Sequence, residues 1–131
     1  MAKKEEKLYE LRYSFAVWNE KNLTTLNELR QRFQDAGVGS LREFCKKLGK
    51  SVPNNLNEDD RIEQISVVRV NRGESPYGFF HIVTKTKNDA HMRFWQDLCM
   101  REYPQVIVAV IGSGSDGEQI CMTLYRPNNT Y

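Results

Sequence analysis

The sequence has no apolar run of transmembrane length, and its N-terminal residues lack the apolar segment of a secretory signal peptide. It has only three cysteines, which cannot all pair within one chain, so reduced core thiols in an intracellular protein are expected. A net charge of +2 at pH 7 is too small to indicate nucleic-acid binding by itself. These absences predict a protein without membrane contact, located in the cytoplasm, with the nucleus as an alternative.

The sequence also lacks the spacings that usually accompany metal binding or catalysis. Its two histidines, His81 and His91, belong to no His-x-His, Cys-x-x-Cys or His-Glu-x-x-His motif. His81 lies between the apolar residues Phe80 and Ile82 of a predicted strand. The glycine-rich residues 112–117 resemble a phosphate-binding loop, but no helix follows them, so a hairpin loop is predicted. We therefore expect no metal, no cofactor and no enzymatic activity.

The length of 131 residues fits one domain with a single core. Residues 1–10 are mostly charged or polar and are predicted to be a flexible N-terminus. Residues 11–126 hold all the predicted strands and helices, and residues 127–131 form a tail. The chain is thus expected to be one domain with a short extension at each end.

A helix over residues 88–102 is the strongest structural signal in the sequence. Its apolar residues recur at intervals of three and four, which places them on one helical stripe. The stripe consists of Ala90, Phe94, Trp95, Leu98 and Cys99. Asn88 or Asp89 can cap the first turn, and Pro104 ends the helix. Because Phe94 and Trp95 are large paired aromatics, we expect them to anchor the helix on a sheet.

Two more helices are predicted from capping boxes, in which a serine or threonine and a glutamate satisfy each other's backbone N–H groups. Ser40 and Glu43 predict a helix over residues 41–48. Thr25 and Glu28 predict a helix over residues 25–36, although apolar and polar residues also alternate there as in a strand.

Strands are predicted where apolar residues alternate with polar ones or where β-branched residues cluster. These segments are residues 11–18, 62–70, 79–83, 106–111 and 120–125. Val67 and Val68 indicate burial on both faces of the second segment. Strands and helices together predict an α+β fold, in which a curved antiparallel sheet carries two or three helices on one face.

Several short segments, in the same order along the chain, resemble the cap-binding translation initiation factor 4E family. Residues 89–95 are a loose match to its helix motif D-x-x-R-F-W, and residues 78–80 match the strand that precedes this helix. Residues 15–18 resemble its first strand, residues 41–44 its first helix and residues 117–120 a late turn. The resemblance implies a 4E-like fold, and it places a strand where we predict a helix over residues 25–36.

The residues that such a relative would use to bind a methylated cap are missing. The family stacks the cationic base between two tryptophans, but neither the loop after Trp18 nor residues 71–76 contain an aromatic residue of this kind. The positions expected to hold the cap phosphates, near residues 111–113 and Gln119, carry no charge. The resemblance therefore implies a 4E-like fold that has lost the ability to bind the cap.

The family's other surface is its helical back, where partner proteins dock an amphipathic helix. The residues at the corresponding positions are Leu41, Cys45, Asp97 and Met100. An acidic side chain beside adaptable apolar ones suits a helix-in-groove contact. We therefore expect a non-enzymatic protein-binding adaptor in mRNA or translation regulation, with a homodimer as one form of partnership.

An alternative function is RNA binding, or cap binding through a rebuilt pocket. The basic and aromatic residues that could form such a surface are Arg69, Arg72, Tyr77, Lys85, Lys87 and Arg93, beside Phe80. A third alternative is a small enzyme, for which the sequence offers no motif.

Overall fold

The structure, a computed structural model, describes residues 9–54, 56–71, 73, 76–86, 92–113 and 119–127. Within these residues, one antiparallel sheet of seven strands and three α-helices form an α+β fold, as predicted. The strands are β1 (Tyr9–Val17), β2 (Gly39–Ser40), β3 (Arg61–Ile65), β4 (Arg69–Val70), β5 (Gly78–Thr86), β6 (Ile107–Ser113) and β7 (Gln119–Tyr125). The helices are α1 (Leu23–Ala36), α2 (Leu41–Lys47) and α3 (Met92–Glu102). The strand order is β2-β3-β5-β1-β6-β7, and β4 pairs with β5.

Strand β1 lies between β5 and β6 and divides its side chains between two faces, as its alternating sequence predicts. One set is fully buried: Leu11, Tyr13, Phe15 and Val17. The other set includes the exposed Arg12 and the half-buried Ser14. The buried set faces the helices, because aromatic rings of α1 and α3 pack against Phe15. In the described part of the chain, the sheet therefore has one face in the core and one face without helices.

Helix α1 confirms the helical prediction for residues 25–36, although it begins at Leu23 and not at the capping box. The residue before it, Asn22, makes no side-chain capping hydrogen bond. The helix ends at Gly37, whose φ of 85° lies in the left-handed region that favours glycine. The N–H of Gly37 donates to the carbonyl of Phe33 at 3.0 Å. A helix here departs from the strand that the 4E resemblance implies.

Helix α2 begins as its capping box predicts. The hydroxyl of Ser40 accepts a hydrogen bond from the backbone N–H of Glu43 at 3.4 Å. The buried side chains of this helix are Leu41, Phe44 and Cys45. A short helix cannot be stable on its own, so these contacts with the core keep α2 in place.

Helix α3 confirms Trp95 as the core anchor. Its indole is fully buried and lies 5.3 Å from the ring of Tyr13, 5.6 Å from Phe33 and 5.7 Å from Phe44, measured between centroids. Phe94 is only half-buried. The predicted capping residues, 88 and 89, lie outside the described residues. Trp95, itself on α3, thus contacts the central strand β1 and the other two helices.

The predicted strand over residues 62–70 is interrupted, which corrects the expectation of a continuous strand. The segment is divided into β3 and β4 at Ser66. Here the serine hydroxyl accepts a hydrogen bond that a backbone carbonyl accepts in a regular strand pair. The N–H of Ser66 donates to the carbonyl of His81 at 2.9 Å, and its hydroxyl accepts from the N–H of His81 at 2.8 Å. Val67, expected to be buried, is 60% exposed.

The expectation of core thiols is correct for two of the three cysteines. Cys45 and Cys99 are buried, and burial raises the pKa of Cys45 to about 11 and raises that of Cys99 as well. Cys121 is exposed, because it lies on the helix-free face of β7. Among the described helices, none is both long enough and apolar enough to cross a membrane.

Candidate nucleic-acid interface

The helix-free face of the sheet brings together basic, aromatic and small side chains from five strands. Residues that pair across antiparallel strands point to the same face, so the strand register identifies its members. We call this surface the open face. It includes Glu10, Arg12, Ser14, Arg61, Gln64, Ser66, Arg69, Phe79, His81, Val83, Lys85, Ala109 and Ile111.

An aromatic pair lies at the centre of this surface. Phe79 and His81 are two residues apart on β5, and their ring centroids are 5.3 Å apart at an angle of 45°. Both rings are half-buried, so each keeps an accessible surface. Across β1 and β6, the residues in register with His81 are the small Ser14 and Ala109. Flat ligands can therefore approach the rings without a bulky neighbour in the way.

Two arginines flank the aromatic pair. Arg69 is in register with Phe79, and Arg12 is in register with Val83, one position beyond His81 on the same face. Both arginines are exposed. Together with Gln64, Ser66 and the two rings they line a depression of about 320 Å³. This combination of cations and accessible rings is typical of surfaces that bind single-stranded nucleic acids.

The positive charges of Arg12 and Arg69 both act on His81, at the centre of the depression. Burial lowers the pKa of the His81 imidazole below its ordinary value, and the positive charges of Arg12 and Arg69 lower it further. The imidazole is therefore neutral at pH 7 and available for stacking. The same positive potential attracts an anion to this part of the surface.

Hydrogen bonds hold the aromatic pair in place. The two hydrogen bonds between Ser66 and the backbone of His81 join β5 to the segment that follows β3. The guanidinium of Arg30, on α1, donates to the carbonyl of Ser66 at 3.0 Å. Ser66, which lines the depression, is thus connected to the helical layer. These contacts hold the surface in place before a ligand binds.

One of the cations predicted for RNA binding is neutralised on this surface. The ammonium of Lys85 lies 2.9 Å from the carboxylate of Glu10. The hydrogen bond from Lys85 lowers the pKa of Glu10, so the carboxylate is ionised at pH 7. Lys85 is therefore a weaker anion site than Arg12 or Arg69.

The predicted RNA-binding residues do not form one patch. Arg69 and Lys85 lie on the open face, whereas Arg93 is exposed on α3, in the layer on the opposite side of the sheet. Tyr77 is half-buried, and Phe80, named beside it, is fully buried in the core. Residues 72 and 87 lie outside the described residues.

Sequence reasoning missed Arg12, Phe79 and His81 as members of the site. A local signal was present for each of them. Arg12 alternates with the apolar residues of β1, and the two rings alternate with the buried Phe80 and Ile82 of β5. The parity of each strand assigns all three side chains to the outer face. Only the pairing of β5 with β1 and β4 shows that they lie together.

The predicted partner-binding residues on the helical back are only partly accessible. Leu41 is fully buried and Cys45 is 1% exposed, so neither side chain can contact a partner. Met100 is 47% exposed, and Asp97 is half-buried. Leu41 and Cys45 complete the core beneath α2, which corrects the expectation that they line a seam between the helices.

A groove of about 280 Å³ does lie on this side of the molecule. Its lining residues are Lys50, Ser51, Phe94, Asp97, Leu98, Arg101 and Glu102. Glu102 pairs with Lys50 and with Arg32, and these contacts, first of all the hydrogen bond from Lys50, lower the pKa of its carboxyl. The groove is therefore lined by both signs of charge, with Phe94 as its most accessible apolar side chain.

No protein-family model, no curated protein and no solved structure matches the chain. Among the described residues, no group of three or more histidine, cysteine or acidic side chains is placed to hold a metal ion.

Proposed function

We propose that this chain is a non-enzymatic binding module whose open face binds single-stranded RNA. The observation that carries the proposal is the accessible ring pair of Phe79 and His81 between the exposed guanidiniums of Arg12 and Arg69. Unpaired bases stack on such rings, and arginine binds phosphate through charge-assisted hydrogen bonds. A double helix conceals the faces of its bases, so single-stranded RNA fits this surface better than a duplex does.

The stacking role of Phe79 gives the first prediction. Phe79→Ala is expected to weaken the binding of a fluorescein-labelled single-stranded oligonucleotide by about 5- to 150-fold, because stacking contributes about 1–3 kcal/mol per base. Fluorescence anisotropy measures the change. The matched control is Phe94→Ala, the same substitution of a half-buried phenylalanine on the opposite side of the sheet. Equal affinities of the Phe79→Ala variant and the parent would refute the proposal.

The second prediction concerns the methylated cap. A methylated guanine cap is expected to bind no better than GTP, because no two rings in the described part of the open face enclose a cationic base between them. Tryptophan fluorescence titration with both nucleotides decides the point. A quench at micromolar concentration that depends on the methyl group would support cap binding through a rebuilt pocket, with Trp18 and Tyr77 as the first residues to test.

A protein-binding adaptor of 4E-like fold is the second candidate function. Four of the segments that carry the resemblance lie in a strand or a helix of the kind that it implies, which supports this candidate: residues 15–17 in β1, residues 41–44 in α2, residues 78–80 in β5 and residues 93–95 in α3. The observation that favours it is the groove beside α3, which combines Phe94 with the carboxylate of Asp97. An amphipathic helix with an apolar and a basic side chain would complement this groove.

Met100→Glu tests the adaptor function. Met100 is exposed on α3, so the substitution is expected to change the melting temperature by no more than a few degrees. If the helical back holds a partner, the variant will fail to capture a protein that the parent retains in a pull-down. Undiminished capture by the folded variant would exclude this surface, and Gln119→Glu, at an exposed position on β7, controls for the same change of surface charge.

A further inference from the structure

We propose, on the basis of the proposed function, that the open face is a short site for two or three unpaired nucleotides. The ion pair between Glu10 and Lys85 forms one end of this site. Arg69 and Arg12 are its two phosphate contacts, and Phe79 and His81 are its two stacking surfaces. The ligand class is therefore a short exposed segment of RNA, such as a loop, a bulge or an end, and not a long continuous strand.

The positions of the two arginines along β5 set the length of the site. Arg69 is in register with Phe79, and Arg12 with Val83, four residues further along the strand. A strand rises about 3.3 Å per residue, so these positions are about 13 Å apart along β5. Arg69 on β4 and Arg12 on β1 lie on opposite sides of β5, about 10 Å apart across the strands, so the two arginine positions are separated by about 16 Å. Only His81 lies between them on this face of β5. Sheet surfaces with two exposed aromatic side chains stack about two or three bases, which agrees with this span.

Beyond Val83 the surface becomes unfavourable for phosphate. The next outward residue of β5 is Lys85, and its charge is neutralised by Glu10 at 2.9 Å. The carboxylate of Glu10 carries a negative charge at pH 7, so it repels a phosphate placed beside it. Continuing across the sheet from Glu10, the residues in register are Ser113 and then Gln119, which are uncharged. On the other side of Lys85, Arg61 is in register with it, and the guanidinium of Arg61 pairs with the carboxylate of Glu63. Both cations that the described residues place at this end of the face are therefore held in ion pairs.

The experiment is a series of labelled oligouridylates, from the dinucleotide to the octanucleotide, titrated by fluorescence anisotropy against the full chain. Affinity is expected to reach a plateau at the trinucleotide. Two phosphate contacts also predict a slope of about −1.4 in a plot of log K against log salt, since each contact to a single strand contributes about −0.7. A steady rise in affinity up to the octanucleotide, or a slope steeper than about −2.8, which corresponds to four contacts, overturns the short site. Absence of binding at every length overturns the proposed function as well.

Glu10→Gln tests the assigned end of the site. The substitution removes the repelling carboxylate and frees Lys85, so the plateau is expected to move to a longer oligonucleotide and the slope to about −2.1. Glu28→Gln, at an exposed position on α1, is the control with the same change in net charge. A plateau and slope that Glu10→Gln leaves unchanged would overturn the role of the ion pair, even if the parent binds RNA.

Discussion

Trp95→Ala is expected to lower the free energy of unfolding by about 3–5 kcal/mol, the largest effect on stability that we predict for a single side chain. The indole is fully buried and contacts rings on β1, α1 and α2, so the substitution removes contacts to three elements at once. The loss combines the transfer free energy of the side chain with the cost of the cavity that remains. Urea denaturation followed by circular dichroism measures it.

The matched control for this experiment is Trp18→Ala. Trp18 is half-buried at the end of β1, and its ring lies 6.0 Å from the guanidinium carbon of Arg126. The indole N–H of Trp18 has no hydrogen-bond partner among the residues that the structure describes, so the substitution removes no hydrogen bond seen there. The control is expected to lose clearly less stability than Trp95→Ala. Equal losses for the two variants would show that Trp95 is not the anchor of the core.

The second large effect concerns affinity. The double variant Arg12→Glu with Arg69→Glu is expected to weaken binding of single-stranded RNA by at least about 100-fold, because each hydrogen bond to a charged group contributes about 1.5–3 kcal/mol. The two new carboxylates add repulsion of the phosphates. Both arginines are exposed, so the fold should tolerate the change. Anisotropy at low salt measures the affinity.

The control is the double variant Arg93→Glu with Arg101→Glu. Both residues are exposed on α3, and the change in net charge is the same. If RNA binding follows net charge alone, the two double variants will lose affinity equally, which would contradict a site on the open face. A selective loss in the variant of Arg12 and Arg69 supports it.

The elements of the fold could be predicted from the sequence because their signals are local. The alternation in β1, the capping box at Ser40 and the stripe that carries Trp95 each depend on residues that are close together in the sequence. These predictions are confirmed. The break after β3 could not be predicted, because it depends on hydrogen bonds between Ser66 and His81, which are 15 residues apart.

The candidate site was harder to predict from the sequence, because it depends on the register of the paired strands. Arg12 and Phe79 are far apart in the sequence, and only the antiparallel pairing of β1 and β5 brings them onto one surface. Burial of Leu41 depends in the same way on long-range packing. A leucine at the first position of an amphipathic helix can face either the core or a neighbouring groove, and the sequence pattern is the same in both cases.

The most direct test of RNA binding by the open face is a nuclear magnetic resonance titration of the isotope-labelled chain with a short single-stranded oligonucleotide. A site on the open face predicts that the perturbed amide resonances belong to β1, β4 and β5, centred on Ser14, Arg69 and His81, while those of α3 stay unchanged. Perturbations centred on residues 94–100 of α3, or none at all, would contradict the assignment of RNA binding to the open face.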